Sequence, residues 1–422
     1  MTTRTYGKHT HVYQTHFTTD IQLDVYLPPD KDSKTPKPIL LWFHGGYLVS
    51  LPDFCMPKIS TRESNAKRKR TSSSAPQQVT GSRKAIPAWL LHHALTQNWT
   101  LISADYRVLP ESTGLATTED AIAAYEWVAG GALRRLHPDC TADPDQIVLA
   151  GASAGGWCAL VTALHFTPPA STLAEQTGQT PLPPPKALWL LYPLLDLGSR
   201  KWAQSVALPG AMAIDPAAAE RLLQHEIPQR IARAEISVGE DFPSSEEEMR
   251  TRQRLPLLYS LLERGVFLDF LTGSAGFGER VVGLGLDGAV AGHVQENRVR
   301  GLFPLDDGAF GPGFPATIVV HGTDDREVSC GESERLMAKL LESGAEVQYF
   351  PVDGAGHVFD LELREGLRDG EGGQAGATLV RALQALQRYL EGIALLSHYT
   401  PPSLMQKPAF YLRNHKQWET LA

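Results

Sequence analysis

The sequence predicts an α/β fold in which helices cover a mostly parallel central sheet. Six short apolar runs carry this prediction, because near-continuous apolar strands are typical of a sheet buried on both faces. Stretches with helical spacing lie between several of them, as right-handed strand–helix–strand crossovers require. The runs read PILLWFHGG, TLISADYR, QIVLAGASAGG, ALWLLYP, ATIVVHG and EVQYFPV.

The segment before these runs has a different pattern. Apolar residues alternate with polar ones from Ile21 to Leu27, which predicts a strand with one solvent-exposed face. We expect residues 12–17 to pair with it as an antiparallel edge strand. The sheet is therefore predicted to be parallel except at its N-terminal edge.

Two stretches carry helix signals. TTEDAIAAYEWVAGGALRRL (117–136) begins with threonines and acids suited to capping, and it places Ile122, Tyr125 and Val128 at helical spacing. GESERLMAKLLESG (331–344) has the same periodicity and ends on glycine, the residue typical of a helix C-terminus. We predict one helix in each stretch.

A polar, serine-rich segment interrupts the alternation at residues 52–87. It contains ESNAKRKRTSSSAPQQVTGSRK, which predicts a mobile surface loop. The KRKR sequence (67–70) has the composition of a nuclear localisation signal. Four basic residues are weak evidence for such a signal, and we interpret them as part of a solvated loop.

A second interruption covers residues 197–312. It is too long for a simple loop and contains the helical stretch RQRLPLLYSLLERGVFLDFL, so we predict a cap or lid over a site. Its GLGLDG sequence (283–288) has GxGxxG spacing but follows no strand, which argues against a dinucleotide site. The predicted parts are a first half of the core (1–196), a cap (197–312), a second half of the core (313–395) and a C-terminal tail (396–422).

Composition limits the classes of function. The chain has 422 residues, 42% of them hydrophobic, and a net charge of −8, which is typical of a globular protein and argues against a nucleic-acid partner. No run approaches the roughly 18 apolar residues of a membrane span, and the first residues lack a leader pattern. The four cysteines have no zinc-ligand spacing and fit reduced thiols, with two disulfides left open. We therefore expect a cytoplasmic protein without metal or cofactor.

The stretch LAGASAGGW (149–157) contains the most informative motif. Gly151, Ser153 and Gly155 form a GxSxG pattern between an apolar run and a helical stretch. This is the strand–turn–helix context of a nucleophile elbow, in which small neighbours leave room for a strained serine. Close packing of a strand against a helix is the alternative reading of the same small residues. We predict that Ser153 is a nucleophile.

A serine hydroxyl needs a positioned base, and that base an acid. In enzymes whose serine lies on a nucleophile elbow, the order along the chain is serine, acid, histidine. Asp325 follows the run IVV and His357 follows the run ending in FPV, so both lie beyond strand ends, where ligands bind in open α/β sheets. We predict Asp325 as the acid and His357 as the base, with Asp324 as the competing acid.

An oxyanion hole is predicted from a third motif, FHGGY (43–47). Lipases and esterases take one N–H group from an HGGG-type loop and another from the residue after the nucleophile. Here the donors are Gly45 or Gly46 together with Ala154, the residue after the predicted nucleophile.

The motifs HGG, DYRVLPE, GASAGG, HGTDDREV and GAGHVF follow one another in this order. As a set they resemble the hormone-sensitive-lipase-like family of α/β-hydrolases, which includes many carboxylesterases. The resemblance covers roughly residues 21–390, without the basic loop and parts of the cap. It implies an α/β-hydrolase fold with Ser153, Asp325 and His357 as the triad, and it makes His44 structural.

The chain departs from that family in two places. Tyr47 stands where a third glycine is usual, which would narrow the acyl pocket. The long insertion lies between the elbow strand and Asp325, whereas the family's cap is largely N-terminal. Substrate specificity is therefore expected to differ from the family pattern, and the family's tendency to dimerise leaves a homodimer open.

Three functional hypotheses follow. The first is a serine hydrolase that cleaves a small or medium hydrophobic carboxylic ester through an acyl-enzyme. The second keeps the triad but assigns it to a natural-product pathway, where it would hydrolyse, transfer or cyclise a polyketide-type acyl group. The third is a ligand receptor on a hydrolase scaffold, which is disfavoured because all three triad candidates are present. In each case the partner is a small molecule.

Overall fold

The structure is a computed structural model. It describes residues 6–28, 36–49, 81–167, 182–205, 216–238, 254–361, 363, 367 and 372–395. Most of the predicted basic loop, including KRKR, and the predicted C-terminal tail lie outside the described residues. The described cysteines, Cys140, Cys158 and Cys330, are free thiols.

One eight-stranded sheet organises the molecule. Its strand order is β1-β2-β4-β3-β5-β6-β7-β8. The β1–β2 and β2–β4 pairs are antiparallel, and every other pair is parallel, which confirms the predicted mostly parallel sheet. The strands are β1 (Gly7–His16), β2 (Thr19–Leu27), β3 (Lys37–Phe43), β4 (Thr100–Ala104), β5 (Ala142–Ala152), β6 (Ala187–Leu191), β7 (Ala316–Gly322) and β8 (Val347–Val352).

Helices pack on both faces of this sheet, and further helices fill the long segment between β6 and β7. The helices of the core are α1 (Ala88–Thr96), α2 (Gly114–Ala129), α3 (Ala132–Leu136), α4 (Ala154–Phe166), α12 (Cys330–Glu342) and α13 (Gly373–Leu390). Those between β6 and β7 are α5 (Pro216–Arg221), α6 (Ile227–Ala232), α7 (Arg254–Glu263), α8 (Phe267–Thr272), α9 (Phe277–Val290), α10 (Glu296–Arg300) and α11 (Pro304–Asp307).

The central strands are buried on both faces, as their continuous apolar sequences predict. In β3, Leu41 and Phe43 belong to the core beneath α2 and α4, whereas Leu40 and Trp42 belong to the core beneath α1 and α13. Because successive strand residues point to opposite faces, a strand between two helical layers needs an apolar residue at every position.

The prediction of a single helix over residues 117–136 is wrong, because the structure has two helices there. The helix α2 begins after Thr113, whose side chain accepts a hydrogen bond from the backbone N–H of Ala116. It ends at Gly130, and Gly131 adopts a φ of +79° before α3 begins. The left-handed conformation costs glycine little free energy, and it breaks the path of the helix.

The described part of the predicted cap is helical. Its GxGxxG sequence lies within α9, where Gly285 has a non-helical φ of 75°, so it does not form the strand–turn–helix of a dinucleotide site. Among the described residues, no helix has both the length and the apolar character needed to cross a membrane.

Candidate active site

Ser153 lies in a strained turn between β5 and α4. Its backbone has φ 52° and ψ −121°, in a region that residues other than glycine rarely adopt. A Cβ atom on Gly151 would lie 2.2 Å from the Gly155 carbonyl oxygen, and one on Gly155 would lie 2.0 Å from the Phe43 carbonyl oxygen. The small residues of the motif are therefore required by backbone contacts, and the turn presents the Ser153 side chain at the carboxyl end of β5.

A hydrogen-bonded series joins the three predicted triad residues. The Ser153 Oγ lies 3.2 Å from His357 Nε2, and His357 Nδ1 lies 2.6 Å from Asp325 Oδ2. The side chains of His357 and Asp325 are 2% and 0% exposed. The competing acid, Asp324, has a side chain that is 60% exposed and pairs with Arg326. The structure thus brings Asp325, and not Asp324, to the histidine.

Asp325 is held by four donors. Its Oδ1 accepts hydrogen bonds from the backbone N–H groups of Glu327 and Val328, both at 2.9 Å. Its Oδ2 accepts from His357 and also from His321 Nε2 at 3.1 Å. Burial alone raises the pKa of Asp325, but the hydrogen bonds from the two histidines outweigh it and hold that pKa well below its usual range. The carboxylate is therefore ionised.

Sequence reasoning missed His321. This histidine is fully buried at the end of β7, four residues before Asp325. Its Nε2 faces two acceptors, Asp325 Oδ2 at 3.1 Å and the Val328 carbonyl oxygen at 3.0 Å, so Nε2 carries the proton and Nδ1 accepts from Ser333 Oγ at 2.7 Å. The HGTDD spacing could have predicted the contact between His321 and Asp325, because a residue at the end of a strand faces the turn that follows it.

A second buried group lies behind His357. The Tyr192 ring contacts the His357 ring edge-on, with 4.8 Å between centroids. Its hydroxyl donates to Asp360 Oδ1 (2.6 Å), and the indole of Trp89 donates to Asp360 Oδ2 (3.0 Å). Burial raises the pKa of Asp360 despite these bonds. No sequence motif marks this group, which only the packing of three separate elements brings together.

The predicted oxyanion loop packs directly against the elbow. A Cβ atom on Gly45 would lie 3.3 Å from the Ser153 Cβ atom, so the loop backbone approaches the serine closely. Gly46 has a φ of 115°. Ala154 is the first residue of α4, and the first N–H groups of a helix have no intrahelical partner.

His44 supports this loop from inside the protein. Its ring stacks on Tyr106 at 4.2 Å, and its Nδ1–H donates to the Gly45 carbonyl oxygen at 2.8 Å. The Tyr106 hydroxyl donates to the His44 carbonyl oxygen at 2.6 Å. Burial lowers the pKa of His44 to about 4, so the ring is neutral at physiological pH. These contacts stabilise the loop conformation beside Ser153.

Tyr47 is the next residue of the predicted oxyanion loop. Its hydroxyl donates to Glu327 Oε2 at 2.9 Å, and its ring lies 6.1 Å from that of Trp202. Trp202 in turn packs on Phe267 of α8 at 4.9 Å. The loop therefore contacts both the turn that carries Asp325 and the segment between β6 and β7.

Within the described ranges, no group of three or more metal-ligating side chains is placed to hold a metal ion.

A family model described as alpha/beta hydrolase fold matches residues 79–238. The matched region contains the nucleophile elbow. It does not include the HGG loop, Asp325 or His357.

Curated proteins similar to this chain include a lipase, an esterase and a polyketide synthase. Lipase 2 of Moraxella sp. is 30% identical over 154 residues, 31% of this chain and 34% of that protein. Esterase LipI of Mycobacterium tuberculosis is 30% identical over 182 residues, 43% of this chain and 41% of that protein. The non-reducing polyketide synthase pkbA of Emericella nidulans is 24% identical over 363 residues, 80% of this chain but 12% of that protein. The chain thus spans well under two thirds of each of these relatives.

Among solved structures, esterase Est2 of Thermogutta terrifontis with bound propionate is 19% identical. That similarity covers 93% of this chain and 97% of the esterase, with a TM-score of 0.46. The crystal structure of DphMB1 is also 19% identical, over 90% of this chain and 85% of that chain, with a TM-score of 0.47.

Proposed function

We propose that this chain, which has the α/β-hydrolase fold, is a serine hydrolase that cleaves carboxylic esters. The observation that carries the proposal is the hydrogen-bonded series from Ser153 through His357 to Asp325. A serine beside a histidine that is itself oriented by a carboxylate is the arrangement that activates a hydroxyl for acyl transfer. The similarity to a lipase and an esterase supports the same activity.

In the proposed mechanism, His357 Nε2 accepts the Ser153 proton while Oγ attacks the ester carbonyl carbon. The N–H groups of Gly45, Gly46 and Ala154 donate to the oxyanion of the tetrahedral intermediate. The protonated His357 then gives its proton to the leaving alcohol, which leaves an acyl group on Ser153. His357 next removes a proton from water, the resulting attack releases the carboxylic acid, and the serine regains its proton.

A fluorophosphonate probe tests this proposal directly. We expect one adduct per chain, located on Ser153 by peptide mass spectrometry. With a p-nitrophenyl ester, we also expect a burst of p-nitrophenol as the acyl-enzyme accumulates. A folded protein that gives neither an adduct nor turnover would contradict the assignment.

Substituting Asp325 with asparagine should lower kcat by about 10³- to 10⁴-fold, because an amide no longer holds the proton on His357 Nδ1 or stabilises the imidazolium. The Asp324→Asn substitution is the matched control, and we expect it to change kcat less than twofold, because that side chain is exposed and does not contact His357. Steady-state hydrolysis of a p-nitrophenyl ester measures both. Equal losses in the two variants would overturn the assignment of Asp325.

A second candidate function keeps this triad and changes the acyl substrate. The similarity to the polyketide synthase covers 80% of this chain, more than the 31% and 43% covered by lipase 2 and LipI. This observation favours a polyketide-type acyl substrate, which the triad would hydrolyse, transfer or cyclise. Turnover of acyl thioesters in a protein inactive on simple esters would select this function. Fast hydrolysis of generic short esters would favour the first.

The remaining proposals concern partners and place. We propose a small or medium hydrophobic ester as the substrate, because apolar residues of the segment between β6 and β7 approach the oxyanion loop. The net charge of −8 supports a protein that does not bind nucleic acid. A cytoplasmic location and a homodimer stay predictions from the sequence.

A further inference from the structure

We propose that the Tyr47–Glu327 pair forms a strap across the active-site entrance, one that limits the size of the ester groups that reach Ser153. This inference rests on the proposed serine-hydrolase function and adds a specificity-determining residue to it. The strap is defined here as the Tyr47 side chain, the Glu327 side chain and the hydrogen bond between them.

The strand order places this hydrogen bond across the site. Tyr47 follows β3 and Glu327 follows β7, and the strands β5 and β6 lie between those two in the sheet. Neighbouring strands are about 4.8 Å apart, so the ends of β3 and β7 are separated by about 14 Å. The two side chains meet at 2.9 Å. Tyr47 and Glu327 lie four and five residues beyond their strands, so the two loops and the two side chains together bridge this separation past the carboxyl end of β5, which carries Ser153.

The loop holds Tyr47 in a conformation that glycine would adopt more easily. Tyr47 and Leu48 have φ values of 52° and 60°. The Leu48 carbonyl oxygen accepts from the Leu109 N–H at 2.7 Å, and the Val49 N–H donates to the Gly46 carbonyl oxygen at 2.9 Å. A bulky residue in this strained region, fixed by its surroundings beside a reactive serine, points to a function of its side chain.

Aromatic residues of the segment between β6 and β7 support the tyrosine ring. Trp202 packs near both Tyr47 and Phe267, with ring centroids 6.1 and 4.9 Å away. The Trp202 indole donates to the Asp196 carbonyl oxygen at 2.9 Å, which orients the ring. The ring of Tyr47 is therefore held by packing as well as by its hydroxyl.

Glu327 is tied to the turn that carries Asp325, and its carboxylate lies near Tyr259 of a neighbouring helix. Its backbone N–H donates to Asp325 Oδ1, two residues away. Burial raises the pKa of Tyr259 in α7 to about 12, and the nearby negative charge of Glu327 adds to that rise. The strap thus connects the oxyanion loop with the turn that carries the acid.

The size limit is tested with two series of esters, one varied in the acyl group and one in the alcohol. For Tyr47→Gly we expect the ratio of kcat/KM for a long substrate to that for a short one to rise at least tenfold in one series. Glycine suits the backbone of this position, so the variant should fold. Tyr47→Phe keeps the ring and removes the hydrogen bond, and a smaller rise of two- to fivefold is expected. Tyr389→Phe is the matched control and should leave the ratio unchanged.

The same comparison with fluorophosphonates does not depend on turnover. We expect Tyr47→Gly to increase the labelling rate of a dodecyl probe relative to an ethyl probe by at least tenfold. If the ratios stay within twofold of wild type in both ester series and in labelling, the proposed size limit is overturned while the proposed hydrolase function stands. A folded wild type that forms no adduct on Ser153 with either probe would overturn the proposed function and the strap together.

Discussion

Ser153→Ala is expected to lower kcat for a p-nitrophenyl ester by about 10⁶-fold, the loss typical of removing the nucleophile of a serine triad. Without the Oγ atom no acyl-enzyme forms, and His357 has no hydroxyl to deprotonate. The proposed oxyanion donors are expected to retain only a small acceleration over water. The measurement is a pre-steady-state assay in which the variant should show neither burst nor turnover.

Ser343→Ala is the matched serine control, because its hydroxyl donates to the Leu340 carbonyl oxygen at the end of α12 and contacts neither Ser153 nor His357. It should retain wild-type turnover. Circular dichroism and urea unfolding should show that Ser153→Ala is folded, since the substitution removes only the hydroxyl group and leaves the Cβ atom in place. Wild-type ester hydrolysis by a folded Ser153→Ala protein would show that the nucleophile is elsewhere.

Gly155→Ala should lower the free energy of unfolding by about 3 kcal/mol or more, at the upper end of what overpacking costs. The added Cβ atom would lie 2.0 Å from the Phe43 carbonyl oxygen and 2.5 Å from that of His44. Both contacts are with backbone, so α4 must move away from β3 to relieve them. Urea unfolding followed by tryptophan fluorescence gives the change.

Gly283→Ala is the matched control for this stability measurement. Gly283 lies within α9, and an added Cβ atom there meets nothing within 4 Å. Because alanine has the higher helix propensity, we expect this variant to gain up to about 1 kcal/mol. A Gly155→Ala protein with the unfolding midpoint of wild type would contradict the close packing of the elbow against β3.

Local sequence patterns were enough to predict the strands and the residues that follow them. Continuous apolar runs identify strands buried on both faces, and Ser153, Asp325 and His357 all follow such runs. Because the carboxyl ends of parallel strands share one edge, residues distant in sequence are expected to meet there. The structure brings these three together, while their catalytic roles stay proposed.

The division between α2 and α3 was not predicted. Helical periodicity continues across Gly130 and Gly131, so spacing alone favours one helix. The left-handed conformation of Gly131 is a property of the folded backbone, and glycine in a sequence permits it without requiring it.

The sequence by itself determined the α/β sheet, the strained turn at Ser153 and the order of the triad candidates. Each of these follows from short local motifs and from their order along the chain. Only the tertiary structure decided that Asp325 rather than Asp324 faces His357. Both residues are aspartates, and the direction in which each side chain points depends on the folded turn. The contacts of Tyr192 with Asp360, and of Tyr47 with Glu327, were also decided there. Each joins side chains more than 160 residues apart, and strand order and helix packing alone bring them within hydrogen-bond distance.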